Sequence, residues 1–225
     1  MLTKSISSFT PFTLLDYPHK AACILWYAGC NMRCLYCYNP EIVLGKGTIS
    51  FDAILEFLTK RKGLLDAVVF SGGECTIHKK IAENIKQVKA LGFLVKIDTN
   101  GSKPELLNQL IENKEIDYVA LDFKAPPKKF ETITKSNLYE PFEKSLHILL
   151  KSNLPFEVRT TYHSELLDET DLQKMISFLE INNYRGNYYI QHFRNNTETL
   201  ENLNYSTKNI SEANLSTSKI KVVFR

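Results

Sequence analysis

The sequence predicts an α/β chain wound as an open, partial (β/α)6 barrel of the TIM type. Two observations point there. Six short apolar runs alternate with segments of helical spacing, which implies a parallel sheet with right-handed crossovers. Six units also fall short of the eight that close a barrel.

The elements follow in order. Ala21 to Tyr27 is a continuous apolar run, as expected of a strand covered on both faces. Phe51 to Arg61 has helical spacing behind Ser50, a good N-cap. Ala67 to Phe70 is a second buried strand, ended by Ser71-Gly72-Gly73. Ile77 to Leu91 is a helix closed by Gly92. Phe93 to Ile97 is a third strand, and Pro104 to Asn113 a helix with proline in its first turn. Tyr118 to Phe123, Phe156 to Thr160 and Tyr188 to Gln191 complete the strands, with helices over Phe142–Ser152 and Glu169–Ile181 between them. Residues 1–20 form an extension before this 21–194 core. Residues 195–225 are an Asn/Ser/Thr-rich tail ending in Ile220 to Phe224, a candidate edge strand. Sequons at Asn195, Asn204, Asn209 and Asn214 are what such a composition produces by chance.

Composition narrows the function classes. At 225 residues and 44% hydrophobic, the chain can bury a core without disulfides. A net charge of +3 without a dense basic run argues against nucleic acid. No stretch approaches a membrane span and no signal peptide is evident, so a cytoplasmic protein is expected. In that compartment the five cysteines read as ligands or core thiols.

Three of them, Cys30, Cys34 and Cys37, lie as C-x3-C-x2-C in the loop after the first strand. Three thiolates from one loop can hold three corners of an iron–sulfur cubane and leave the fourth iron open for chemistry. The alternative is a zinc-stabilised binding module, with Cys23, Cys75, His19 or His78 as the fourth ligand.

The remaining motifs fall at the ends of successive strands, where ligand sites gather in parallel α/β folds. Phe70-Ser71-Gly72-Gly73-Glu74 offers two glycines for close backbone approach and a carboxylate able to accept from an ammonium group. Asp98-Thr99-Asn100-Gly101 and Leu121-Asp122-Phe123-Lys124 place two acids at neighbouring strand mouths. Arg159, whose planar fork suits a carboxylate, lies near the end of the fifth strand, and His192 just past the sixth.

The cysteine loop, with an aromatic at Tyr36, resembles the signature of the radical S-adenosylmethionine (SAM) superfamily. Leu15-Asp16-Tyr17-Pro18 and the run from Ala28 to Glu41 resemble most closely the activating enzymes of anaerobic ribonucleotide reductase, a group similar to pyruvate formate-lyase activases. The resemblance covers roughly residues 10 to 195. It implies one [4Fe–4S] cluster on Cys30, Cys34 and Cys37, with no further cluster because Tyr38 to Ser71 lacks cysteine. It implies a SAM site from Tyr36, Gly72, Gly73, Glu74, Asp98, Thr99, Asn100, Asp122, Lys124, Arg159 and His192, with Glu74 on the SAM amino group and Lys124 reaching SAM. Asp98, Thr99 and Asp122 would help hold a monovalent cation. One departure stands out: Cys75 follows Glu74 where the family usually has proline.

The same resemblance implies the activity. One electron, supplied by a flavodoxin or ferredoxin, cleaves SAM to methionine and a 5′-deoxyadenosyl radical, which takes a hydrogen atom from a glycyl-radical enzyme, the anaerobic ribonucleoside-triphosphate reductase above all. The competing enzyme reading is a radical SAM enzyme acting on a small molecule, such as a 7-carboxy-7-deazaguanine synthase, or on another glycyl-radical enzyme.

Overall fold

The structure is a computed structural model that describes residues 4–207, 210 and 215–225. The sequons at Asn209 and Asn214 lie outside those residues. The chain runs β1 (Ile6–Thr13), β2 (Ala22–Tyr27), α1 (Pro40–Leu44), α2 (Phe51–Thr59), β3 (Ala67–Gly72), α3 (Ile81–Ala90), β4 (Leu94–Thr99) and α4 (Pro104–Glu112). It continues through β5 (Tyr118–Asp122), α5 (Pro127–Thr134), α6 (Tyr139–Lys151), β6 (Phe156–Tyr162), α7 (Glu169–Ile181), β7 (Gly186–His192) and β8 (Ile220–Phe224).

All strands join one sheet in chain order, β1 antiparallel to β2 and the rest parallel. All six predicted strands and all five predicted helices are present, so the partial barrel stands. The terminal segments are part of it. β1 borders β2, and Ile220–Phe224 pairs in parallel with β7. A single sheet thus runs from the extension through the core into the tail.

Three elements escape a periodicity reading, each for a local reason. β1 is half polar, and Pro11 sits where its register with β2 shifts, so it has neither a clean alternation nor an unbroken ladder. α1 is a single turn. α5 begins at the pair Pro126-Pro127, which reads as a loop; yet proline suits a first helical position, and Phe130 and Ile133 bury its inner side. α3 starts at Ile81 rather than Ile77 because Cys75–Ile77 forms a separate 3-10 turn, capped by Glu74. α6 starts at Tyr139, with Pro141 tolerated in its first turn.

Because strand order follows chain order, right-handed crossovers put the helices on one face. Alternate strand residues such as Leu25, Val68, Phe70, Val95, Ile97, Val119, Leu121 and Val158 join Leu58, Ile85, Leu110, Phe142, Leu149 and Leu172 from the helices in one large core. The inner face is different. A small plug of Tyr17, Ala22, Ile24, Ala67 and Val69, flanked by Trp26, Leu94 and Tyr118, fills its lower end. Above that plug the inward positions become polar.

Candidate active site

The period of two fixes which residues meet inside the sheet. On β4, Lys96 and Asp98 follow Leu94 inward; on β5, Asp122 follows Tyr118 and Ala120. Arg159 lies beside Asp122 in register. These side chains form a continuous ion-pair chain. Lys96 Nζ lies 3.1 Å from Asp98 Oδ1, Arg159 Nη2 lies 3.3 Å from Asp98 Oδ2, Arg159 Nε bonds Asp122 Oδ1, and Lys124 Nζ lies 2.9 Å from Asp122 Oδ2. Ser71 Oγ also donates to Asp98 Oδ2 at 3.1 Å. Burial pushes the Asp122 carboxyl up, but Arg159 and Lys124 outweigh it and hold the pKa down at about 2. Asp98 is lowered for the same reason, with Arg159 and Lys96 outweighing burial. Burial also opposes the charge on Lys124, and Asp122 outweighs it, so that pKa is raised.

The cysteine loop forms the opposite wall. Its backbone is anchored from three directions: Arg33 and Leu35 donate to Thr134 and Ile133 of α5 at 2.8 and 3.0 Å, Leu200 of the tail donates to Cys37 O at 3.0 Å, and Gly29 donates to Ile42 O at 2.8 Å. Asn31 ties the loop to the end of β4 through Ser102 (2.7 Å) and Asn100 (2.9 Å). Cys30, Cys34, Cys37, Tyr36, Gly72, Gly73, Asp98, Asn100, Asp122, Lys124 and Arg159 line one cleft of about 450 Å³, a size suited to a small cofactor.

Two glycines make this junction possible. Gly72, at φ +120°, lies so close to Tyr27 that a Cβ would come within 2.3 Å of its backbone; a Cβ on Gly73 would come within 2.0 Å of Gly29 O. Gly73 and Glu74 donate to Tyr27 O and Gly29 O, both at 2.9 Å. The close approach expected of these glycines is therefore first of all to the strand that launches the cysteine loop.

Glu74, Thr99 and His192 do not line the cleft. Glu74 is 1% exposed and turned inward. It accepts from Thr76 N and Oγ1 (3.1 and 2.6 Å), Thr99 Oγ1 (2.9 Å) and Asn100 N (2.7 Å), so it knits the ends of β3 and β4 together. His192 points away and stacks on Phe224, with centroids 4.7 Å apart. Its neighbour Gln191 takes the cleft position, as does Thr161, two residues beyond Arg159. Strand parity would have found both. Asp16, Trp26, Met32, Asn39 and Arg194 also reach the cleft; Asp16 carried a signal in its Leu-Asp-Tyr-Pro run, and Met32 and Asn39 lie in the run from Ala28 to Glu41.

The donor set fits an iron–sulfur cluster. Three free cysteines share one cleft with Tyr36, whose buried hydroxyl has no hydrogen-bond partner there. Burial raises the Cys30 and Cys34 thiols to about 12 and about 11, and iron binding displaces those protons. Among the described residues no three His, Cys, Asp or Glu side chains gather tightly enough for a single metal ion. Three of the four candidate fourth ligands for zinc are engaged elsewhere. Cys23 is in the helix-side core, Cys75 points at Phe70 O and Asp98 O, and His78 bonds Ala28 O at 2.9 Å. No helix among the described residues is long and apolar enough to cross a membrane.

Comparison with known proteins agrees with this geometry. The Radical SAM superfamily profile matches residues 24–179. A putative glycyl-radical enzyme activating enzyme of Methanocaldococcus jannaschii is 36% identical over 178 residues, 75% of this chain and 72% of that protein. The pyruvate formate-lyase-activating enzyme of Listeria monocytogenes is 30% identical over 172 residues, 70% of this chain and 68% of the relative. Among solved structures, Streptococcus suis SuiB bound to S-adenosylmethionine shares the fold with a TM-score of 0.65 at 14% identity, covering 90% of this chain but only 51% of its own. The chain is an enzyme of the radical SAM superfamily, and membership brings with it a [4Fe–4S] cluster and SAM as cofactors.

Proposed function

We propose that this chain activates a glycyl-radical enzyme, with the anaerobic ribonucleoside-triphosphate reductase as its target and a flavodoxin or ferredoxin as electron donor. The observation that carries the reading is the unclosed sheet. β1 and β8 stand at opposite ends of the strand order without pairing, which leaves a side from which a partner's loop can enter the cleft. The names of the Methanocaldococcus and Listeria relatives support activation of a glycyl-radical enzyme. The choice of reductase rests on the Leu15–Pro18 and Ala28–Glu41 runs.

When bound and reduced by one electron, the cluster and SAM supply methionine and a 5′-deoxyadenosyl radical; a Cα–H bond of the target glycine breaks homolytically, and its hydrogen completes 5′-deoxyadenosine. Glycine suits the reaction because its Cα carries no side chain and its radical is stabilised by the flanking amides. The chain's own part is to hold and orient. Cys30, Cys34 and Cys37 are the iron ligands. Lys124 and Arg159 offer the SAM carboxylate a positive surface, since Lys96, Lys124 and Arg159 outnumber Asp98 and Asp122 by three to two. Tyr36 and Asn100 line the same space.

The test is anaerobic incubation of the reconstituted protein with reductant, SAM and the cognate reductase. A glycyl doublet in the electron paramagnetic resonance spectrum of the reductase is expected. Turnover of SAM with a small purine-like compound, and no radical on any glycyl-radical enzyme, would replace this reading with a small-molecule one.

A further inference from the structure

The Leu15-Asp16-Tyr17-Pro18 run and Lys96 meet in one place. Lys96 is 2% exposed in the inner face of the sheet. Its ammonium donates to the Asp16 carbonyl at 2.6 Å and lies 5.8 Å from the Tyr118 ring, which packs 5.7 Å from Tyr17. Its third neighbour is Asp98 Oδ1, at 3.1 Å but off hydrogen-bond alignment, so Oδ1 receives charge and no hydrogen bond.

A buried lysine is costly unless paired. Here the pairing reaches from the floor of the barrel to the cleft wall. Asp16 and Asp98 both line the cleft, and Lys96 stands between them. Charge on the acid pair is then fully met. Asp98 Oδ1 faces Lys96, Asp98 Oδ2 and Asp122 Oδ1 face Arg159, and Asp122 Oδ2 faces Lys124. All four carboxylate oxygens already have a tethered cation. The monovalent metal ion expected beside Asp98 and Asp122 does not fit this arrangement, because it would add a fourth positive charge to Lys96, Arg159 and Lys124 beside only two carboxylates.

We propose that Lys96 is a positioning residue, the built-in counter-ion of Asp98, anchored by the Asp16 carbonyl, and that it makes SAM binding by this chain independent of Na⁺ and K⁺. Lys96 touches neither the cleft nor the cluster loop and acts through Asp98, holding that carboxylate toward Arg159 in the geometry that receives SAM. The inference rests on the cleft being the SAM site, and its test involves no partner protein.

The experiment measures SAM affinity of the cluster-reconstituted full chain by calorimetry, in KCl, NaCl and choline chloride at equal ionic strength. For the unaltered protein the three dissociation constants should agree within about twofold, since the tethered ammonium supplies the charge. Lys96→Met, which keeps the length and removes the charge, should bind SAM about tenfold more weakly in choline chloride, the size expected of one charge-assisted contact. Adding K⁺ or ethylammonium should restore part of that loss, a rescue that a packing defect would not give. Tighter binding by the unaltered protein on addition of K⁺ or Na⁺, beyond about twofold, overturns the proposal. So does a Lys96→Met protein with unaltered affinity, or one whose loss no cation repairs. If Lys96→Met does not fold, the ion series on the unaltered protein decides alone.

Discussion

The two faces of the same sheet carry opposite chemistry, one residue apart along each strand. On β4, Val95 and Ile97 are fully buried against the helices, while Lys96 and Asp98 form an ion pair on the inner face. On β5, Val119 and Leu121 pack outward and Asp122 inward. Among the cysteines, Cys23 lies in the helix-side core and does not reach the cleft, whereas Cys30, Cys34 and Cys37 line the cleft, with Cys34 also touching the edge of that core. The difference teaches what each face is for. The helix-covered face supplies the apolar burial that stabilises the fold. That frees the inner face to hold charges and thiols whose burial costs stability.

The sharpest break in that comparison is among the cysteines. Cys34→Ala should abolish both the iron–sulfur absorbance and SAM cleavage, while Cys23→Ala and Cys75→Ala should keep about four irons per chain. Iron analysis and quantification of 5′-deoxyadenosine check it, and a fully active Cys34→Ala protein would refute the assignment of ligands.

On the other face, Leu149→Ala in α6 should lower unfolding stability by about 2–5 kcal/mol. Its SAM affinity, measured calorimetrically on folded protein, should be unchanged. Loss of SAM binding at constant stability would mean that the two faces are not separable.

Asp122 tests the inner face for its stability share. Its folded pKa, about 2, lies below the ordinary value near 3.8. Its ion pairs therefore stabilise fully above the ordinary value, and that contribution fades as pH falls from about 4 to about 2. Asp122→Asn should cost about 2 kcal/mol at pH 7. The gap between variant and parent in urea denaturation should narrow below about pH 4, whereas a gap constant with pH would contradict the ion-pair account.

The smallest effect compares neighbours on β7. Gln191→Ala should weaken SAM binding by about threefold, as loss of one neutral hydrogen bond would. His192→Ala, one residue on and facing Phe224, should leave it unchanged in the same titration.

Much of this was legible before any coordinate. Apolar runs and helical spacing marked all six core strands and five helices, because each buries enough surface to leave a local period. C-x3-C-x2-C, Ser-Gly-Gly-Glu, Asp-Thr-Asn-Gly and Leu-Asp-Phe-Lys appeared at consecutive strand ends, and the strand-end rule alone gathered them into one site. Tertiary contacts decided the rest. Glu74 looked like a ligand for an ammonium group; donors from Thr76, Thr99 and Asn100 turn it inward, and the last two lie 25 and 26 residues away. Lys96 looked like one residue of a strand; its partner Asp16 lies 80 residues earlier. The sequence by itself determined the elements, their order and the cysteine loop, because propensity and spacing act locally. Only the folded sheet decided which strand-end residues meet in the cleft and which charges neutralise one another, because those pairings join groups that no local pattern connects.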